Sequence, residues 1–220
     1  MSRWLFGMPV LVAVGVLMLS APGSGQRVQP PRSGLVSIET RSCGAKLVGT
    51  GFLVDRRHIV TAEHVVAGAT RIVLKRGGRE IGRASLAGAD RGLDVALIRS
   101  DRTVDGHVFS LSSRSPRTGE RVSALGFRSS PAGRVRGFAR LLARGGEVGQ
   151  PLIQTDAPVR AGDSGGPLVS AHDGAVLGFV DLSSTARGGP SFAVEARTAG
   201  PLVARWLKDP EAVPQRRCAR

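Results

Sequence analysis

The stretch "RAGDSGGPLV" (residues 160–169) sets one serine, Ser164, between an aspartate and two glycines, just ahead of an apolar run. Two readings are open for it. Glycine and aspartate tolerate unusual backbone angles and local hydrogen bonds, so the stretch reads as a tight turn. The same residues suit a nucleophile held on a strained turn: Gly162 lets backbone N–H groups point at a developing oxyanion, and Gly165 and Gly166 keep side chains clear of a substrate. The second reading needs a base and a carboxylate elsewhere in the chain.

Working outward from Ser164, short apolar or alternating runs recur at close spacing. Upstream lie "LVSIET", "AKLVGTGFLVD", "HIVTAEHVV", "RIVLK", "EIGRASLAG" and "LDVALIRS"; after a polar segment from about Ser100 to Gly119 come "ERVSALGFR", "RVRGFARLLA", "PLIQTD", "GPLVSA", "AVLGFVDL" and "SFAVEA". Near the C-terminus "TAGPLVARWLKD" reads as a helix, with Leu202, Val203, Trp206 and Leu207 on one face. The pattern predicts an all-β protein of two six-stranded barrels, over 35–100 and 119–196, joined by a linker at 101–118 and followed by a helix and tail at 197–220.

The 220 residues, 41% of them hydrophobic, suffice for a real core. The opening "MSRWLFGMPVLVAVGVLMLS" has a basic start at Arg3 and an apolar run too short and Pro-interrupted for a comfortable membrane span, so residues 1–25 read as an export signal, with a retained anchor as the alternative. Residues 26–34 read as a flexible linker. A secreted or periplasmic protein follows, free of the membrane once the signal is removed. In that compartment a disulfide persists, and Cys43 and Cys218 are expected to form one; their spacing suits no metal site. The net charge of +14 predicts weak adhesion to polyanions, with Arg134, Arg136 and Arg140 of one strand parity forming a basic stripe. No aromatic residues are expected to interleave with it, and no nucleic-acid motif accompanies it.

Of the four histidines, at 58, 64, 107 and 172, only His64 in "VTAEHVVAG" stands where a strand ends and a short helical turn begins. Asp94 in "GLDVALIRS" is followed at once by four apolar residues, and a desolvated carboxylate needs a partner. A histidine N–H is a natural one, since the pairing fixes the imidazole tautomer and frees its other nitrogen for a serine hydroxyl.

With "TAEHVV", "DVALI" and "GDSGGPLV" in this order, the sequence from about Leu35 to Ala196 resembles the chymotrypsin/trypsin-like serine peptidases. The resemblance implies two Greek-key barrels, an acyl-enzyme mechanism with His64 as general base, Asp94 as its orienting acid and Ser164 as nucleophile, and an oxyanion hole from the N–H groups of Gly162 and Ser164. It implies protein or peptide substrates, and neither cofactor nor metal. "GTGFLVDRRHIVTAEHVV" and "IQTDAPVRAGDSGGPLV" look like the bacterial HtrA-like branch, while Phe52 and Val65 stand where animal trypsins carry a cysteine pair. No C-terminal peptide-binding (PDZ) domain is expected. No "IVGG"-like terminus is seen either, so Asp163 must find another partner and the site is expected to form without a dedicated cleavage. Pro158, six residues before Ser164, implies a primary pocket without an acid at its base; Ser183 and Phe192 are its other expected walls, suited to small or medium apolar side chains. A catalytically silent relative that binds peptides or anionic envelope polymers is the alternative.

Overall fold

A computed structural model describes residues 31–42, 45–140, 151–183 and 189–211. Twelve strands lie among them. The first six are β1 (Leu35–Ser42), β2 (Ala45–Leu53), β3 (His58–Thr61), β4 (Arg71–Arg76), β5 (Arg79–Asp90) and β6 (Val95–Ser100), with a short helix, α1 (Glu63–Val66), between β3 and β4. The second six are β7 (Arg121–Ala124), β8 (Ala132–Arg140), β9 (Pro151–Thr155), β10 (Pro167–Ser170), β11 (Val176–Ser183) and β12 (Ser191–Glu195), followed at once by helix α2 (Ala196–Lys208).

Each set closes on itself through antiparallel pairs. The ring order is β1-β2-β3-β6-β5-β4 in the first barrel and β7-β8-β9-β12-β11-β10 in the second, so both follow one Greek-key path. Closure removes every free sheet edge.

Alternation along the strands sorts the apolar residues into three cores. One fills the first barrel around Ile38, Leu53, Ile59, Leu74 and Ile98; a second fills the other around Val122, Val135, Ile153, Leu168 and Leu177. The third lies between the barrels, where Phe52 stacks on Phe179 with ring centroids 5.8 Å apart and meets Phe109 edge-on at 5.6 Å. Helix α2 packs Val203 and Trp206 into this third core, with Leu202 and Leu207 half-buried at its flanks.

The segment between the barrels is stitched to both. Phe109 N–H donates to Leu53 O (2.8 Å) on one side, and Ser112 N–H to Val176 O (2.8 Å) on the other. Two expectations change. The end of the expected flexible linker is a turn of 3-10 helix, Arg32–Gly34: Gly34 is buried against the His107 carbonyl and the Phe109 ring, and Arg32 bonds to Ser130 and to the Phe127 carbonyl. On β8, Arg134, Arg136 and Arg140 do share an exposed face, but Phe138 stands among them, 51% exposed, and Arg136 is paired with Asp156. Among the described residues no helix is long and apolar enough to cross a membrane.

Candidate active site

The three expected chemical residues come from three separate connections that the barrels bring together. His64 sits in α1, which starts after Ala62 where β3 ends; Asp94 ends the turn between β5 and β6; Ser164 lies in the turn between β9 and β10. Asp94 is the single non-glycine with positive φ (49°) among the described residues, a conformation aspartate tolerates better than most and one found where geometry is dictated by function. In that pose its carboxylate takes the backbone N–H of His64 on Oδ1 (2.8 Å), while His64 Nδ1 lies 2.7 Å from Oδ2. A carboxylate only accepts, so Nδ1 carries the proton and Nε2 keeps its lone pair. The Asp94 contact holds the imidazole above its ordinary value against the opposing pull of burial, and the charges of Asp181 and Glu63 add to the rise.

The Ser164 turn is pinned from both barrels. Thr50 N–H of β2 donates to Ser164 O (2.8 Å), and Gly165 N–H donates to Val180 O of β11 (2.7 Å). Gly165 has φ +83°, and a Cβ there would fall 2.4 Å from Thr61 Oγ1, so the turn seats on the end of β3 only because the residue is glycine. Gly162, at φ +98°, turns the chain just before the serine. Its N–H and that of Ser164 have no acceptor among the described residues, whereas the intervening Asp163 N–H donates to Arg160 O (2.9 Å). The Ser164 hydroxyl donates to the Asp181 carbonyl (3.2 Å); none of the described hydrogen bonds joins it to His64.

A family model for the trypsin-like peptidase domain matches residues 49–179. The chain belongs to the trypsin-like peptidase family. A protein of Halomonas elongata named as a probable periplasmic serine endoprotease, DegP-like, is 34% identical over 171 residues, which are 74% of this chain and 34% of that protein. The serine protease Do-like HtrB of Bacillus subtilis is 31% identical over 171 residues, 70% of this chain and 36% of its own. The chain thus spans about a third of the length of these curated relatives. Among solved structures, the serine endoprotease from Yersinia pestis superposes with a TM-score of 0.67 at 26% identity, covering 86% of this chain and 69% of that one. The active form of the Rv3671c protease from M. tuberculosis shares the fold, with a TM-score of 0.73 at 23% identity over 91% of this chain and 98% of its own.

In this trypsin-like peptidase domain the carboxylate ahead of the serine meets no amine among the described residues. Asp163, 3% exposed, accepts from the Ser129 hydroxyl on both oxygens (3.0 and 2.9 Å) and from Arg160 N–H on Oδ2 (2.9 Å). Of the expected pocket residues, Pro158 is exposed after β9, and Phe192 of β12 is half-buried against the core between the barrels. The side chain of Ser183 and both cysteines, Cys43 and Cys218, lie outside the described residues.

Sequence reasoning missed Asp181. It occupies a β-bulge, where the register of β11 against β12 shifts between Val180 and Leu182, and such an extra residue is re-aimed off the ladder. His64, Asp94 and Asp181 each bring a ligand-type atom within 4.8 Å of the others. A divalent cation takes nitrogen and oxygen donors of this kind, yet the backbone N–H and Nδ1 of His64 already engage the two Asp94 oxygens. The signal available was an acid inside the apolar run "VLGFVDL".

Proposed function

We propose that the protein is an exported serine endopeptidase in which His64, Asp94 and Ser164 form the catalytic triad. The observation that carries this reading is the His64–Asp94 pair beside a serine turn that seats on the end of β3, with two N–H groups, at Gly162 and Ser164, lacking an acceptor among the described residues. In the forward step Ser164 Oγ turns from the Asp181 carbonyl to His64 Nε2, gives up its proton there and attacks the scissile carbonyl; catalytic hydrogen bonds commonly tighten only with substrate bound. The oxyanion is met by the two N–H groups, and the imidazolium, stabilised by Asp94, protonates the leaving amine. Water then repeats the sequence on the acyl-enzyme.

Pro158 offers no charge to hold an Arg or Lys side chain, and with Phe192 and Ser183 it favours small or medium apolar residues ahead of the cleaved bond. Export to the periplasm or beyond rests on the reading of residues 1–25 and on the names of the relatives. Weak polyanion adhesion rests on net charge alone, and part of the β8 arginine row is spent on Asp156.

The test is Ser164→Ala. Covalent labelling by a fluorophosphonate and cleavage of a peptide library should vanish while the far-ultraviolet spectrum stays unchanged, since loss of a triad member costs about a millionfold in turnover. Unreduced turnover would sink the assignment; no labelling of the unaltered protein would favour the silent, peptide-binding relative.

A further inference from the structure

Asp94 is approached from two sides. His64 fills one with a backbone and a ring N–H; from the other comes the Asp181 carboxyl, with an oxygen within 4.8 Å of an Asp94 oxygen. Two carboxylates this close cannot both stay ionised at low cost, so one proton belongs between them. Asp94 is committed as an acceptor by His64, with lone pairs left on its oxygens. The proton therefore resides on Asp181. Resting on the peptidase reading above, we propose that Asp181 is a positioning residue: as a neutral acid it donates a hydrogen bond to the Asp94 carboxylate and completes a chain Asp181–Asp94–His64.

The architecture supports an aimed rather than incidental contact. Asp181 is the extra residue of the β11 bulge, so its side chain is free of the alternation that binds its neighbours. Its own carbonyl takes the Ser164 hydroxyl, so one residue touches the acid end of the array through its side chain and the serine end through its backbone. Burial pushes its carboxyl up to about 7, with the charge and hydrogen bond of Asp94 adding to the rise and His64 opposing it. The titratable groups facing it are Asp94 and His64 from the first barrel, with Glu63 beside the imidazole. From its own barrel, Ala193 and Phe192 of β12 and the glycines after Ser164 carry no charge.

The consequence is a coupled titration. As pH rises through 7 the hydrogen-bonding proton leaves, and the new anion holds the imidazolium more firmly; the two groups then titrate as a pair, spreading the acid limb of activity. Asp181→Asn keeps a donor toward Asp94 and removes the charge. Asp181→Ala removes both.

The test follows the His64 ring by nitrogen-15 NMR between pH 4 and 10 in the full chain and both variants, beside kcat and KM for a peptide substrate. The His64 midpoint should fall in both variants and sharpen to a single-proton curve. Asp181→Ala should lower kcat about tenfold at unchanged KM, the loss of one hydrogen bond to a charged group, and Asp181→Asn should recover most of it. Identical His64 curves in all three proteins would overturn the proposal, as would equal kcat losses in Ala and Asn. The NMR readout needs no turnover, so a shifted His64 curve in a protein that no fluorophosphonate labels would refute the peptidase reading and leave the Asp181–Asp94–His64 chain standing.

Discussion

Asp163 shows what a single side chain can tell and what it hides. Its carboxylate, buried one residue before the candidate nucleophile, has no cation opposite it among the described residues; one hydroxyl and one N–H serve instead. That the residue needed a partner was legible in "GDSGG", because a desolvated carboxylate always does. The identity of that partner was not, since Ser129 lies 34 residues away and nothing in "FRSSPAG" distinguishes it from its neighbour Ser130. Space there is tight as well: a Cβ on Gly126 would fall 1.7 Å from Asp163 Oδ1. Ser129→Ala should therefore cost about 2 kcal/mol of stability, the penalty for taking a donor from a buried acceptor. Thermal melts would read it as a lower Tm, and fluorophosphonate labelling should slow in parallel because Asp163 shapes the Ser164 turn. An unchanged melt would mean that the N–H of Arg160 suffices.

At the scale of elements, strands were readable and their irregularities were not. Short apolar or alternating runs marked all twelve, but "GRASLAG" and "GFVDL" look uninterrupted although each carries a bulge, at Ala87 and Asp181. A bulge is decided by what the partner strand and the opposite layer demand, and neither is local in sequence. The one in β11 aims Asp181 at the site. The one in β5 lies beside the seat of α2: the Ala87 carbonyl accepts Glu211 N–H (2.9 Å), and Gly88 lies under the Trp206 ring. A Cβ on Gly88 would come within 2.2 Å of Trp206 Cδ2. Gly88→Ala should displace the helix and destabilise the fold by about 1–3 kcal/mol, the range for overpacking, with α2 losing amide-exchange protection before either barrel does. Uniform loss of protection would contradict a local cause.

For the whole molecule, the triad order and the strand count implied two barrels; the ion pairs that steady their junction were invisible, because surface arginines are abundant and few are placed by pattern. One matters. Glu120, at the end of the inter-barrel segment, takes Arg114 on both oxygens (2.9 and 2.7 Å), Arg117 N–H (3.0 Å) and the Ser170 hydroxyl of β10 (2.9 Å). The Arg114 contact, above all, holds its carboxyl down at about 2 against the pull of burial. A depressed acid stabilises the fold above its unfolded value of 4.5, and that support drains away as pH falls toward 2. Glu120→Gln should thus cost about 1–2 kcal/mol at neutral pH, discounted because Arg114 is largely solvated, and the difference in Tm should close between pH 4.5 and 2. A pH-independent gap would assign the effect to packing.

The seat of Trp206 also gives the molecule its own optical probe. The sequence has no tyrosine and two tryptophans, at positions 4 and 206, so any chain that starts beyond Trp4 emits from a single indole. That ring is 1% exposed, and its Nε1 has no acceptor among the described residues. Its emission belongs at the short-wavelength end, and it reddens only when α2 lifts from the core between the barrels. Undocking of the helix is then followed without a label, separately from the melting of the strands seen by circular dichroism.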